Sequence, residues 1–397
     1  MAEIDQTDSA SWAPRHAEAL IGHEAAERVF LKDWAAGRLA HAWLITGPKG
    51  IGKASFAFRC ARFVLQRENR AAAAARQGAS APGLFGDEPA APALPDSLAV
   101  PADDPVFQRV ASLGHADLLV IERAWDDKGK RWRSEIVAED ARRLVPFFGM
   151  TAAEGGHRIA IIDSADELNR HAANAILKIL EEPPPKGLLF LVSHSPGRLL
   201  PTIRSRCRRL ELQPLPPAQM AGLIAQQAPD LPDTDRDALA ALAAGSPGRL
   251  EALLEGGGLA LYDELLGLLA PLPAVDVAAL HAFADRLGRA GAGDTGGAGA
   301  FATLLDLLGG LLARLIAAAA RGGRDGAQGA AHVRPAEAAL AARLFPPGAD
   351  LAEWIAVWEK LGEMGRAADS LALDRKHVLL SLFNRLAAAA GQGARAA

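Results

Sequence analysis

The sequence predicts an α/β domain built on a parallel β-sheet, followed by segments that are helical throughout. Four continuous apolar runs alternate with helical patterns in the first half of the chain, as expected for strands that helices cover on both faces. After residue 212 the apolar patterns have helical spacing. Half of the residues are apolar but only 5% are aromatic, which favours Ala- and Leu-rich helices over a β-sandwich.

The elements of the α/β domain follow from these runs. The predicted strands span residues 42–46, 117–122, 158–163 and 188–193. A last strand follows Arg209, and helical patterns cover residues 53–66 and 172–182. Residues 69–104 are rich in Ala, Pro and Gly and show no periodicity. We therefore predict a mobile surface insertion there, because such a segment cannot bury enough apolar surface to order itself.

The chain divides into three predicted parts. At about 150 residues per domain, its 397 residues correspond to two or three domains. A group of prolines, at positions 214, 216 and 217, marks the change from the α/β pattern to the helical one. We predict an α/β domain over residues 1–212, a small three-helix unit over residues 213–258 and an all-helical C-terminal domain over residues 259–397.

Charge, cysteine content and hydropathy exclude several classes of protein. The 43 basic and 47 acidic residues give a net charge of −4, which excludes a histone-like polycation and a disordered acidic tail. Two cysteines, Cys60 and Cys207, exclude a disulfide framework and suit a reducing cytosol. The first ten residues lack the apolar core of a signal peptide. In the apolar segment 302–320, Asp306 and Arg314 would each cost about 2.5 to 3.5 kcal/mol at a bilayer centre. We predict a buried helix of a cytoplasmic protein, with no membrane partner.

The first predicted strand leads into a glycine-rich loop and then a helix, the order that a phosphate-binding P-loop requires. Glycines let backbone N–H groups converge on phosphate oxygens, and the helix N-terminus adds a positive dipole. A lysine at the start of the helix reaches the β- and γ-phosphates. The candidate nucleotide-binding residues are Gly47, Pro48, Lys49, Gly50, Ile51, Gly52, Lys53, Ala54 and Ser55.

The residue after the P-loop lysine cannot take its usual part in ATP hydrolysis. A P-loop ATPase has Ser or Thr there, whose hydroxyl holds Mg²⁺, but this chain has Ala54. Ser55 is one residue further on, about 100° around the helix from the metal position. The loop can therefore be retained for its structure alone, or it can bind ATP or ADP without hydrolysis.

The end of the third predicted strand shows a second departure. Asp163 lies where a P-loop ATPase places its metal-associated aspartate, but Ser164 follows in place of the glutamate that polarises the attacking water. Asp166 and Glu167 lie further along and are expected to point elsewhere. Because two departures affect the same reaction, the sequence predicts little or no ATP hydrolysis at this site.

Four arginines within six residues precede the last strand: Arg204, Arg206, Arg208 and Arg209. Charge runs are usually solvated surface, and Arg208 and Arg209 fit that interpretation. Arg206 has a second interpretation as an arginine finger, since a planar guanidinium can neutralise γ-phosphate charge across a subunit boundary. The spacing alone leaves both interpretations open.

Five segments of the sequence together resemble the AAA+ clamp-loader family. In chain order they are HAWLITGPKGIGKASFAFRCARFVL, HADLLVIER, RIAIIDSADELNRHAANAILKILEEPP, FLVSHSPGRLLPTIRSRCRRLEL and GSPGRLEALL. The AANAILKILEEPP and LLPTIRSRC stretches are specific to clamp loaders, whereas a P-loop alone is not. The resemblance covers about residues 16–256 well. It covers the C-terminal domain only through its helical character and the stretch LALDRKHVLL.

The resemblance implies an AAA+ P-loop domain, a helical lid and a helical collar that joins neighbouring subunits. It also implies a hetero-oligomeric pentamer with gamma/tau and delta subunits, whose ATPase subunits open a sliding clamp and place it on primed DNA for DNA polymerase III. The departures at Ala54 and Ser164 fit a subunit that serves as a rigid stator and has no ATPase or polymerase activity by itself. Contacts with DNA, if made, would be to phosphates.

The family also implies roles for particular residues. The arginine of the Ser-Arg-Cys motif is donated in trans to the ATP of a neighbouring subunit, which corresponds to Arg206. The GSPGR segment corresponds to the sensor-2 region, with Arg249 as its candidate residue. Many relatives carry a four-cysteine zinc module after the P-loop helix. This chain has no cysteine in that interval, so we expect no zinc and no other metal site.

Two other functions remain as alternatives. An active clamp-loader ATPase of the gamma/tau type would have Ser or Thr after Lys53 and an acidic residue after Asp163, and this sequence has neither. A P-loop phosphotransferase acting on a small molecule would leave the Ser-Arg-Cys motif and the helical C-terminal domain unexplained.

Overall fold

The chain forms two compact units that divide after Pro216. The structure is a computed structural model that describes residues 13–76, 95–126, 131–289, 295–321, 333–346, 350–371 and 373–396. The division lies close to the predicted end of the α/β domain at residue 212.

The first unit contains the predicted parallel sheet. Its strands are β1 (Ala42–Thr46), β2 (Leu118–Ile121), β3 (Trp125–Asp126), β4 (Arg131–Trp132), β5 (Arg158–Ile162), β6 (Gly187–Ser193) and β7 (Arg208–Glu211). Five of them form one parallel sheet in the order β2-β5-β6-β1-β7, and β3 and β4 form a separate antiparallel hairpin. The prediction of a parallel sheet is confirmed. Because β1 lies between β6 and β7, the glycine-rich loop that follows it opens at the carboxyl edge of the sheet.

Seven α-helices accompany this sheet in the described part of the unit. They are α1 (Glu24–Ala35), α2 (Lys53–Arg76), α3 (Pro105–Ala111), α4 (Ala138–Arg142), α5 (Leu144–Gly149), α6 (Arg170–Glu181) and α7 (Pro201–Arg204). Helix α6 begins at a side-chain cap, since Asn169 Oδ1 accepts a 2.9 Å hydrogen bond from the backbone N–H of Ala172. Such a cap stabilises a helix by about 1 kcal/mol.

Burial on both faces explains why the strands are continuous apolar runs. Trp43 and Ile45 of β1 pack in one core cluster with Phe190 of β6. The alternate residues, Leu44 of β1 and Leu191 of β6, pack in a second cluster. Each such buried side chain contributes about 1.5 to 3 kcal/mol relative to exposure. Polar residues in the strand interiors would remove that contribution from one face or the other.

The structure corrects the extent of the predicted insertion at residues 69–104. Helix α2 continues to Arg76. The run that follows residue 70 consists of alanine, which has the highest helix propensity of all residue types. At the other end, Leu98 and Val100 are buried in the core. The Oγ atom of Ser97 accepts a 3.0 Å hydrogen bond from Arg59 of α2. Residues 77–94 of the predicted insertion lie outside the described residues.

The second unit is helical in its described part. Its helices are α8 (Pro217–Gln227), α9 (Asp233–Ala243), α10 (Pro247–Glu255), α11 (Gly258–Leu269), α12 (Val277–Arg289), α13 (Thr295–Ala320), α14 (Pro335–Leu344), α15 (Leu351–Leu371) and α16 (Arg375–Ala396). Helices α8 to α10 are the predicted three-helix unit, and α14 has no counterpart in the sequence analysis. Residues 217–258 and 259–397 belong to one compact unit, so their separation into two domains stays a prediction.

Helix α13 contains a segment, Gly299–Ala320, that is long and apolar enough to cross a membrane. Most of its leucines are buried within the second unit, for example Leu307 and Leu311. Its two charged side chains also have partners there. Asp306 pairs with Arg249 at 2.8 Å, and Arg314 donates a 2.7 Å hydrogen bond to the hydroxyl of Tyr262. The segment is therefore a core helix of its unit.

Candidate functional site

The loop between β1 and α2 has a conformation that depends on glycine. Gly47, Gly50 and Gly52 have φ angles of 144°, 77° and 95°, which side chains of L-residues rarely allow. A Cβ atom on Gly47 would lie 2.5 Å from the carbonyl oxygen of Leu212 and 2.6 Å from Cδ1 of Ile51. The loop backbone therefore packs against the chain that follows β7, and this gives Gly47 a structural role that needs no nucleotide.

Lys53, the first residue of α2, directs its ammonium group back into the loop. Its Nζ donates a 2.6 Å hydrogen bond to the carbonyl oxygen of Pro48, and only 5% of the residue is exposed. Burial lowers the pKa of Lys53 to about 8, while the charges of Asp163 and Asp166 oppose this shift and Lys49 adds to it. The lysine and the two carboxylates therefore form one electrostatic cluster with the loop.

Asp166 belongs to this cluster, contrary to the expectation that it would point elsewhere. Ser164 has left-handed backbone angles, φ 63° and ψ 58°, and turns the chain from β5 into the short 3-10 helix Ala165–Glu167. This turn buries Asp166, whose Oδ1 accepts a 3.1 Å hydrogen bond from the backbone N–H of His194. Left-handed angles are uncommon outside glycine, so the turn could not be predicted from a serine at this position.

Ser193 and His194 also lie at this edge of the sheet, and sequence reasoning missed both. Ser193 ends β6 opposite Thr46 of β1, and its buried hydroxyl has no hydrogen-bond partner among the described residues. Nε2 of His194 lies 3.0 Å from Oδ2 of Asp166. Burial lowers the pKa of His194 and Asp166 opposes that shift, while Lys53 adds to it. The signal that could have found them is topological, because ligands of parallel sheets bind at the carboxyl ends of adjacent strands.

Two residues at the loop differ from those of a hydrolytic P-loop site. Asp163 follows β5 as predicted, with its backbone N–H donating to the carbonyl oxygen of Ile121 at 2.9 Å. Burial raises the pKa of Asp163, and the charge of Lys53 opposes this. Ala54 has no oxygen to offer a metal ion, and Ser164 stands where an ATPase needs its general base. The absence of ATP hydrolysis at this loop therefore stays a prediction.

Arg206 follows α7 on the surface of the first unit. Its Nη1 donates a 3.1 Å hydrogen bond to the carbonyl oxygen of Thr202, and its Nη2 lies 3.0 Å from Oε1 of Glu181 at the end of α6. An exposed ion pair of this kind contributes only about 0 to 1 kcal/mol. The guanidinium can therefore exchange Glu181 for a more highly charged anion at small cost. Burial raises the pKa of the adjacent Cys207 thiol to about 12, so this cysteine stays an uncharged packing residue.

The two arginines on β7 pair with nearby carboxylates. Arg208 pairs with Asp33 at 2.5 Å and lies over the ring of Trp43 at 5.0 Å. Arg209 pairs with Glu211 at 2.9 Å. Both are exposed and fit the interpretation of the charge run as solvated surface, and Arg204 on α7 is exposed as well.

Arg249, the candidate sensor-2 residue, lies on α10 of the second unit. Its backbone N–H donates a 3.2 Å hydrogen bond to Oγ of Ser246, which caps the helix, and its Nε lies 2.8 Å from Oδ2 of Asp306. The side chain is thus held within its own unit, and a role in nucleotide binding stays a prediction.

The two cysteines are free thiols in the first unit, with Cys60 buried on α2. Within the described ranges, no group of three or more His, Cys, Asp and Glu side chains is arranged to hold a metal ion.

Comparisons with known proteins relate the chain to bacterial replication proteins. Residues 102–216 match a family model described as "DNA polymerase III, delta subunit". The chain is 36% identical over 209 residues to DNA polymerase III subunit delta' of Pseudomonas aeruginosa, covering 52% of this chain and 54% of that protein. It is 30% identical over 191 residues to DNA polymerase III subunit gamma/tau of Mycobacterium tuberculosis, covering 48% of this chain and 27% of that protein. A crystal structure of a gamma subunit-related protein from Thermotoga maritima aligns with 91% of this chain and 99% of that chain at 14% identity, with a TM-score of 0.34.

The matched regions cover only part of these relatives. The chain spans about half the length of the delta' proteins it matches, from 42% to 54%. The family match falls within the first unit, which holds the sheet and Arg206. The chain is therefore similar to delta' and gamma/tau subunits of bacterial DNA polymerase III, and its first unit contains the match to the family model.

Proposed function

We propose that this chain acts as a delta prime subunit of the DNA polymerase III clamp loader, which places the sliding clamp on primed DNA during replication. The observation that carries the proposal is a combination of two features. The glycine-rich loop lacks both the hydroxyl after Lys53 and an acidic residue after Asp163, while Arg206 stands on the surface with only a weak ion pair. A subunit with these features can support a neighbour's reaction without catalysing its own.

Arg206 is the residue that acts on the neighbour in this proposal. Its guanidinium leaves Glu181 and contacts the γ-phosphate of ATP bound to the adjacent subunit, where it stabilises the charge of the transition state. The loop from Gly47 to Ser55, together with Asp163, forms a degenerate nucleotide site, and Arg249 of the second unit stays the sensor-2 candidate that the resemblance implies. Such a site holds ATP or ADP without hydrolysis, or serves the fold alone.

The first helices of the second unit act as a lid, and the later ones as a collar that joins the chain to gamma/tau and delta subunits in a pentamer. The complex contacts the sliding clamp and the phosphates of primed DNA, so DNA binding is independent of sequence and weakened by salt. The protein works in the cytoplasm.

An active ATPase of the gamma/tau type is the second candidate, and the 30% identity to a gamma/tau protein favours it. Ala54 and Ser164 speak against it, because each replaces a group that phosphoryl transfer uses. A small-molecule phosphotransferase gains no support from these similarities.

We expect the purified chain to release no phosphate from ATP above background, with or without Mg²⁺. The reason is the absence of a metal-binding hydroxyl at Ala54 and of a base at Ser164. Phosphate release is measured for the wild type and for Lys53→Ala as its control. Clear Mg²⁺-dependent turnover that disappears in Lys53→Ala contradicts the proposal. Titration with ATP and ADP shows separately whether the loop binds nucleotide.

Mixing the chain with gamma/tau and delta proteins tests the proposed function most directly. We expect size analysis to show one hetero-oligomeric species that contains this chain. A chain that elutes alone under conditions in which the other subunits assemble overturns the proposal and favours a free-standing enzyme.

A further inference from the structure

A cavity in the first unit carries two arginines that the proposed function does not use. It has a volume of about 390 Å³, within the range of about 300 to 1,000 Å³ that is usual for ligand sites. Its lining residues are Leu44, Pro196, Pro201, Arg204, Ser205 and Arg209. Arg206 is not one of them, so the cavity and the proposed arginine finger can be tested separately.

The cavity exists because the sheet is incompletely covered at β7. In the parallel pairing of β1 and β7, Arg209 lies directly beside Leu44, so the two side chains point to the same face of the sheet. On that face, the core cluster that contains Leu44 and Ile203 has no residue of β7. Helix α7, which contributes Ile203, has only four residues. Leu44 is 1% exposed and forms the inner wall of the cavity, whereas Arg209 lies at its rim.

The rim of the cavity is positively charged and only partly neutralised. Arg209 pairs with Glu211 at 2.9 Å, but the two side chains are 58% and 53% exposed, and an ion pair in such an exposed position is weak. Among the described residues, the guanidinium of Arg204 has no hydrogen-bond or ion-pair partner. The two arginines can therefore bind carboxylates through paired, charge-assisted hydrogen bonds.

The rest of the lining favours an apolar group on the ligand. Leu44, Pro196 and Pro201 offer aliphatic surface, and proline has no backbone N–H to donate. The hydroxyl of Ser205 already donates a 3.2 Å hydrogen bond to the carbonyl oxygen of Thr202. A phosphate site instead uses converging backbone N–H groups, and a site for single-stranded nucleic acid uses aromatic side chains for stacking. None of the six lining residues is aromatic. The lining therefore matches a ligand that combines carboxylates with an apolar side chain.

We propose that this cavity binds an acidic peptide segment of a partner protein, with carboxylates on Arg204 and Arg209 and an apolar side chain against Leu44. A peptide fits better than a small molecule because the cavity is open. Sites for small molecules bury about 70 to 90% of the ligand surface, whereas both arginines here are exposed. The inference goes beyond the proposed function, which gives the chain no peptide ligand.

The test measures the anisotropy of three fluorescein-labelled hexapeptides with the purified full chain. The first peptide has four aspartates followed by two leucines. The second has serines in place of the leucines, and the third has asparagines in place of the aspartates. We expect the first to bind at least about 10-fold more tightly than the second, which cannot bury a leucine. We also expect it to bind at least about 10-fold more tightly than the third, which forms no charge-assisted hydrogen bonds.

The double variant Arg204→Gln/Arg209→Gln tests whether the cavity is the binding site. We expect it to bind the first peptide at least about 10-fold more weakly than the wild type, and with a smaller dependence on salt. Arg142→Gln/Arg198→Gln is the matched control, because it removes two arginines that are also exposed in the first unit but do not line the cavity. It leaves the affinity unchanged.

Four results overturn the inference. The first is that the wild type does not bind the first peptide. The second is equal affinity for the leucine and serine peptides, which shows that charge alone is recognised. The third is an equal loss of affinity in the two double variants, which shows that the cavity is not the site. The fourth is an oligothymidine of about 20 nucleotides that binds more tightly than the peptide and depends on Arg204 and Arg209, which shows a nucleic-acid site.

These measurements need neither nucleotide nor the other loader subunits. A failure of peptide binding therefore leaves the proposed function standing, since that function is tested by assembly and by the effect of Arg206.

Discussion

Arg206→Ala is expected to reduce ATP turnover at the neighbouring site of the reconstituted clamp loader by about 10³- to 10⁵-fold, the range found for arginine fingers. The variant removes the charge that would stabilise the transition state and leaves the fold intact, since Arg206 is exposed and its ion pair with Glu181 contributes little. The measurement is the rate of clamp loading onto primed DNA, together with single-turnover hydrolysis. Size analysis confirms that the complex still forms.

Two controls separate the loss of the guanidinium from other effects of the substitution. Glu181→Gln breaks the same ion pair but keeps the arginine, so loading should remain at the wild-type rate. Arg204→Ala removes an exposed arginine two residues away and should also have little effect. Wild-type loading by Arg206→Ala, or an equal loss in Glu181→Gln, removes the finger role.

Gly47→Ala is expected to destabilise the first unit by about 2 to 6 kcal/mol, as the sum of backbone strain and overpacking at about 1 to 3 kcal/mol each. The strain arises at a φ angle of 144°. The overpacking arises because the new Cβ would lie 2.5 Å from a backbone oxygen of Leu212, which cannot rotate away as a side chain can. Thermal denaturation followed by circular dichroism should show a midpoint about 5 to 20 °C lower.

Gly197→Ala is the matched control for this effect. No atom lies within 4 Å of a Cβ at Gly197, and its φ angle needs no glycine. We expect a change of at most about 0.5 kcal/mol, as for most surface substitutions. Equal stability of the two variants, measured without nucleotide, would show that the loop is loose enough to move away from Leu212, against the structural role assigned to Gly47.

The sheet and the start of α2 could be predicted because burial on both faces leaves a clear pattern. β1 has the predicted bounds, and α2 begins at Lys53 as expected. The end of α2 was predicted wrongly because the alanine run was interpreted from its composition as part of an insertion. The high helix propensity of alanine predicts a helix there instead. The hairpin formed by β3 and β4 was missed, since strands of two residues are too short to show a period of two.

The candidate site could be predicted only for the residues that directly follow a predicted strand. The loop directly follows β1 and Asp163 directly follows β5, and apolar runs in the sequence mark both strands. Asp166 reaches the same cluster only through the left-handed angles of Ser164, and His194 reaches it through the packing of β6 beside β1. The sequence pattern shows neither the backbone angles of Ser164 nor the order of the strands. The positions of these two side chains therefore become clear only in the folded chain.

The position of β7 has a consequence for solubility. It is an edge strand of the described sheet, and an edge with open backbone groups can pair with the edge of another copy and start aggregation. β7 is only four residues long, and Arg208, Arg209 and Glu211 are exposed while Leu210 is buried. Short length and charge are the features by which natural proteins discourage such pairing. Arg208 and Arg209 therefore discourage edge-to-edge pairing between copies of the chain. This role does not depend on the binding of a phosphate.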